Sequence, residues 1–283
     1  MRNNQRRLGK SAPGSPAGPA PPSPLAAATN MSFAVPTEFV ELPSQGKLYP
    51  EDHPLHQQET VEIRFMTAKD EDIISSESLI KKGLVLNRLL TSLIIDDIDP
   101  STLLIGDRNA ILIAARISGY GSEYDLSYRC TGCFVTSETK YDLKNALIED
   151  NCLDSVFLKR NDLLHDTKTQ TFDIKLPTSG VVVGLKMLTG QDEKVLIGDE
   201  KEPKDNMVTS MLATIISKVN DESDPGYINE FIESMPVKDS KFLRELYPKL
   251  APRVRLVDDF VCPKCYREEE MEVPLSAGFF WPR

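Results

Sequence analysis

Two Cys-x-x-Cys pairs, Cys130/Cys133 and Cys262/Cys265, constrain this chain more than any other feature. That spacing makes a tight knuckle aiming two thiolates at one point, half of a tetrahedral Zn2+ shell. A compact zinc ribbon places its pairs about 15 to 20 residues apart. Here the whole stretch 134–261 intervenes. Each knuckle is therefore half a site unless the fold brings both together. Gly132 is expected to turn its knuckle at positive φ, and Pro263 to preset the other. β-like sequence flanks both pairs, which disfavours a redox motif, since that needs a cysteine at a helix N-terminus. Metal-free knuckles that simply pack are the bland alternative. Cys152 reads as a small buried hydrophobe.

The stretch between the pairs explains how they could meet, because the chain states one pattern twice. Leu42-Pro43-Ser44 and Leu176-Pro177-Thr178 open the two halves, the first with an extra loop of roughly 47–58. An alternating β-like run follows each, then Thr67-x-x-Asp70 and Thr189-x-x-Asp192, which fit a helix capping box. Amphipathic spacing continues through Leu86, Leu89, Leu90, Leu93 and Ile94, and through Val208, Met211, Leu212, Ile215, Ile216 and Val219. Asp99-Pro100 and Asp224-Pro225 mark acidic turns, with helices starting near Asp107 and Asp239. Pro248 is expected to kink or end the second of these. The offset from each landmark to its match drifts along the chain, as insertions would make it, without any change of order. If an approximate two-fold relates the halves, both knuckles share one structural ion. The expected fold is α+β: two pseudo-repeated helix-rich halves, each with a small β element carrying a knuckle. Residues 1–30 form a Pro/Ala-rich disordered tail, 31–150 the first half, and 151–283 the second with an aromatic C-terminus.

Charge narrows the function classes. Residues 1–30 hold Arg2, Arg6, Arg7 and Lys10 and no acid; subtracting these four from 33 basic residues leaves 29 against 43 acidic, a body at −14. Such a body repels a phosphate backbone, so nucleic-acid binding is disfavoured. No stretch reaches the about 18 to 20 apolar residues of a membrane helix, and no secretory signal follows the basic start. His53 and His56 sit in a Pro-containing loop that reads as polar surface rather than metal site. No nucleophile–base set, phosphate loop or His-Glu-x-x-His is present, so no catalytic residue, small-molecule substrate or organic cofactor is expected. Asp107 and Arg108 read as capping and ion-pairing residues at a helix start. Phe279, Phe280 and Trp281 must bury against the body or a neighbour, the body slightly favoured.

The segments FAVPTEFVELPSQGKLYPEDHPL, ETVEIRFMTAKDEDIISSESLIKKG and LLIGDRNAILIAARISGYGSEY give the chain a resemblance. With their Leu-Pro-Ser-x-Gly-x-x-Tyr-Pro turn, Met66-Thr67 before Asp70-Glu71, and Gly106-Asp107-Arg108, they resemble the baseplate hub proteins of T-even-type contractile-tailed phages. The likeness is strong over 33–135 and looser beyond. It implies a structural hub subunit working through protein–protein assembly, in several copies, in the tail baseplate of the virion and, during assembly, in the host cytoplasm. Implied neighbours are other hub, tail-tube or tape-measure proteins. An assembly chaperone that leaves before maturation is the alternative, and a zinc-dependent nucleic-acid-binding protein a further one. One Zn2+ held by Cys130, Cys133, Cys262 and Cys265 is the expected metal site.

Overall fold

The computed structural model describes residues 34–197, 206–273 and 277–280. The expected tail and Trp281 lie outside them.

The first half begins with strands β1 (Thr37–Glu41) and β2 (Thr60–Arg64), paired antiparallel. Helices α1 (Ala68–Ile74), α2 (Glu77–Lys81), α3 (Val85–Leu93) and α4 (Ile105–Tyr120) follow. It closes with the hairpin β3 (Glu123–Arg129) and β4 (Thr136–Asp142), the first knuckle at its tip. A connecting stretch adds β5 (Leu147–Glu149), α5 (Ser155–Arg160) and β6 (Leu163–Asp166). The second half runs β7 (Thr171–Lys175), β8 (Val182–Lys186), α6 (Gly190–Ile197), α7 (Met207–Ile215), β9 (Ile216–Val219), α8 (Pro225–Ser234) and α9 (Val237–Leu250). It ends with β10 (Arg253–Arg255), then β11 (Val257–Val261) and β12 (Glu268–Glu272), whose hairpin carries the second knuckle. Strands β6-β7-β8-β9 make one antiparallel sheet, and β10 pairs back with β5. The fold is α+β, as the sequence indicates.

The repeat is visible bond by bond. Arg64 binds Asp70 at 2.7 Å, and Thr67 donates its N–H and hydroxyl to the same carboxylate, each at 2.8 Å. At the matching positions of the second half, Lys186 binds Asp192 at 2.8 Å while Thr189 donates from N and Oγ1 at 2.9 and 3.0 Å. Both arrangements follow from the capping box, where an acid on the first helical turn reaches back to the cap. Ile94 bridges Ile63, and Ile216, its counterpart, pairs with Leu185.

A second matched pair anchors the opening turns. Asp107 is fully buried and accepts from Ser44 N–H (2.9 Å), Ser44 Oγ (2.6 Å) and Tyr49 Oη (2.8 Å). Asp239, its counterpart and equally buried, accepts from the N–H groups of Thr178 (2.8 Å) and Ser179 (2.9 Å). Neither acid serves only its own helix start, the local role that the sequence suggests for Asp107. Each ties the Leu-Pro turn of its half to a helix far along the chain. Arg108 does ion-pair, with Glu193 at 3.2 Å.

One core joins the halves, from Leu42, Ile63, Leu89 and Ile111 to Leu185, Ile215, Leu243 and Leu250. The amphipathic runs supply it, but two boundaries fall earlier than their spacing suggests. Ile94 lies just past the end of α3, and Ile216 and Val219 belong to β9, not α7. Those residues are β-branched, and β2 offers Ile94 a partner as β8 does Ile216 and Val219, so the chain switches to extended backbone. Helix α9 passes Pro248 and stops soon after, at Leu250. Asp99-Pro100 stays a turn, whereas Asp224-Pro225 opens α8, with Asp224 capping Tyr227 N–H at 2.9 Å. Phe279 and Phe280 are buried on the body, and Arg116 Nε donates to the Phe279 carbonyl at 3.3 Å.

Candidate metal centre

The two hairpins meet tip to tip. Cys130 and Cys133 sit between β3 and β4, Cys262 and Cys265 between β11 and β12, and the four sulfurs all lie within 4.8 Å of one another. Cys130 Sγ is 3.7 Å from Cys265 Sγ, and Cys133 Sγ is 3.5 Å from Cys262 Sγ. A two-fold that exchanges the knuckles maps the first distance onto the second, and their near-equality is what such an axis requires. Zn–S bonds of about 2.3 Å at tetrahedral angles put sulfurs about 3.8 Å apart, so the cluster has the size of one four-thiolate Zn2+ site. Among the described residues this is the one grouping of His, Cys, Asp or Glu close enough to share an ion. His53 and His56 are spent on Thr102 Oγ1 (2.9 Å) and the Tyr49 carbonyl (2.8 Å).

Local structure explains the convergence. In each knuckle the first cysteine's carbonyl accepts from the residue after the second: Phe134 N–H to Cys130 at 3.0 Å, Tyr266 N–H to Cys262 at 2.9 Å. Each first cysteine also donates back, to Val135 and to Arg267. Closing these turns puts Phe134 (φ 59°) and Tyr266 (φ 57°) in the left-handed region. Positive φ thus falls immediately past the second cysteine of each pair, not at Gly132 as the sequence suggests. Gly132 serves another end: a Cβ there would stand 2.9 Å from Arg267 Cδ of the opposing knuckle. Its bare backbone leaves room for the Arg267 side chain to lie across the first tip.

The surroundings favour a thiolate at Cys262 and disfavour one at Cys265, where a bond from the Arg267 backbone lowers the thiol but desolvation and the other three cysteines raise it more. Gly132 N–H points at Cys130 Sγ (3.3 Å). The Cys262 thiol is held down to about 6, first by the backbone N–H of Cys265, against burial, and further by that of Lys264. Cys130 and Cys262 are wholly buried, while Cys265 is exposed at the rim. A small apolar cluster of Phe260 and Met271 closes one side, and the Tyr128 ring packs on Phe260 at 4.7 Å. Tyr128 and Phe260 each stand two positions before the first cysteine of their knuckle, so the repeat contacts itself at equivalent positions. Across the tips, Thr131 N–H donates to Glu269 at 3.1 Å, and the Thr131 hydroxyl binds the same carboxylate. Four thiolates leave no open coordination position, so an ion here is structural rather than catalytic. Cys152 stands apart, buried, its thiol pushed up to about 12 by desolvation.

Fold and site together describe an α+β protein in which two hairpins distant in sequence bring four cysteines to one point. The family described as T4 bacteriophage base plate protein matches residues 35–281, and this chain belongs to it. No curated protein and no solved structure matches the chain. None of the described helices is long and apolar enough to cross a membrane.

Proposed function

We propose that this chain is a structural subunit of the baseplate hub, working through protein–protein contacts and holding one structural Zn2+ on Cys130, Cys133, Cys262 and Cys265. Family membership over 35–281 supports the baseplate role. The observation that carries the metal reading is the convergence of four sulfurs from hairpins that close opposite halves of the chain. The hub reading adds several copies of the chain in a symmetric assembly beside other hub, tail-tube or tape-measure proteins, with a passage through the host cytoplasm on the way to the virion. Residues 31–150 and 151–283 act in this reading as two lobes that the ion clamps.

Mass spectrometry of purified tails tests the role. A virion subunit is retained at fixed stoichiometry; a chain present during assembly and absent from finished tails acts as a departing chaperone instead. Elemental analysis tests the metal. One zinc per chain is expected, and Cys262→Ser should lose it. Two ions per chain, or full retention in the variant, would disprove a shared site.

A further inference from the structure

Among the places where the two halves differ is the outer edge of β1. In the second half, the corresponding strand β7 is paired on both sides, by β8 and by β6. The register with β6 sets Leu164 opposite Asp173 and His165 opposite Phe172, with the His165 ring stacked on Phe172 at 4.5 Å. With Leu42 aligned on Leu176, β1 takes the place of β7, Phe39 falling at Asp173 and Glu38 at Phe172. Yet among the described residues β1 pairs with β2 alone. Phe65 N–H bonds Pro36 O, and Leu42 N–H bonds Glu59 O, which fixes the alternation. The N–H and C=O groups of Thr37, Phe39 and Glu41 point away from β2.

We propose that this edge receives an extended strand from another protein of the baseplate, added antiparallel to β1 as β6 is added to β7. The inference rests on the baseplate reading. Three observations specify the occupant. First, the chain cannot repeat its own solution, because the β6–β7 turn needs Gln170 at φ 53° and the equivalent residue is Pro36. A proline ring holds φ near −65°, so the short hairpin cannot form there. Second, Glu38 keeps its Oε1 buried with no hydrogen-bond partner. It occupies the position that His165 covers in the other half, so a Lys, Arg or His on the incoming strand fits it, and β1 itself carries Glu38 and Glu41 and no base. Third, Phe39 is 69% exposed at the centre of the strand, so an apolar side chain next to that basic residue would cover it. Main-chain bonds supply the affinity in such additions and the alternating side chains the specificity.

Residue-resolved amide exchange on the full chain, alone and within purified tails and tail-assembly intermediates, tests this. The Phe39 and Glu41 amides should exchange freely in the isolated chain and at least about tenfold more slowly in the assembled particle. Glu38→Lys should leave the isolated chain's Tm unchanged and reduce its incorporation into particles. Protection already present in the isolated chain would overturn the proposal, for the chain or a second copy would then be filling the edge. Protection in neither state would overturn it too, leaving an edge blunted by glutamates. A chain found in particles with an unprotected Phe39 amide defeats the added strand alone. A chain found in neither tails nor intermediates defeats the baseplate reading with it.

Discussion

Two equivalent aspartates hold the turns of this protein, and their surroundings drive them in opposite directions. Burial raises the pKa of Asp107, and its bonds from Ser44 and Tyr49 do not outweigh it. Burial also opposes ionisation of Asp239, but the amide donors of Ser179 and Thr178 prevail and lower its pKa. Linkage turns this into opposite pH signatures. A lowered carboxylate stabilises the fold above its unfolded value, about 3.9, and that stability is lost as pH falls through the folded value. A raised carboxylate penalises the fold above its folded value, and the penalty fades as pH falls towards the unfolded one. Urea midpoints against pH should therefore show the advantage of wild type over Asp239→Asn shrinking below about pH 4. Relative to Asp107→Asn, wild type should gain as pH falls through the range just above it. Asp107→Ala, which leaves Ser44 and Tyr49 donating to nothing, should cost about 3 kcal/mol at neutral pH, read from the same unfolding curves. Neither anchor was legible in the sequence. Each contact joins segments far apart along the chain, and an aspartate near a helix start has a local explanation that hides the distant one. The caps Thr67–Asp70 and Thr189–Asp192 were legible because all their partners lie within one helical turn.

At the scale of elements, the knuckles show what spacing can and cannot say. Cys-x-x-Cys dictates a turn, and the repeat supplied a reason for two such turns to meet. The residue that bears the strain was not evident, because glycine drew attention to position 132 while the left-handed backbone fell on Phe134 and Tyr266. A bulky residue at positive φ costs on the order of 1 kcal/mol. Both side chains are largely exposed, 64% and 79%, so little intramolecular packing offsets that cost. Phe134 has some return, since the Arg129 guanidinium lies 5.3 Å from its ring. An exposed contact of that kind contributes about 0.5 to 1 kcal/mol. Tyr266→Gly should accordingly raise stability by up to about 1 kcal/mol, and Phe134→Gly should change it little. Denaturant midpoints of the zinc-loaded protein check both; equal effects would show that the cation above Phe134 contributes nothing. Strand β6 and the pairing of β10 with β5 also escaped the sequence. Leu-Leu-His-Asp is too short for a period, and the β5–β10 partners are brought together only by the tertiary fold.

For the molecule as a whole, the question is what the cysteine clasp holds. The main core already joins the two halves through buried side chains of both, and it does not include the four clustered cysteines. Toward their tips the knuckle hairpins have the small cluster around Phe260 and Met271, while the far end of β3–β4 reaches the main core through Tyr141, Tyr124 and Leu126. A two-stranded hairpin is marginal by itself in water, so an ion held by the four cysteines would stabilise the tips of β3–β4 and β11–β12 far more than it would the core. A structural zinc site contributes on the order of 10 kcal/mol of apparent binding free energy, enough to order both hairpins. Removing zinc with a chelator at neutral pH should then release the hairpin tips and spare the body. In amide exchange, the hairpin tips around Cys130–Cys133 and Cys262–Cys265 should lose protection, while the Tyr141 end of β4 and the buried faces of α3, α4 and α9 keep theirs. Cys262→Ser should reproduce that pattern without chelator, and restoring zinc should reverse it in wild type alone. Collapse of protection throughout the chain would mean that the core depends on the clasp, and that the buried contacts between the halves are insufficient to hold them together.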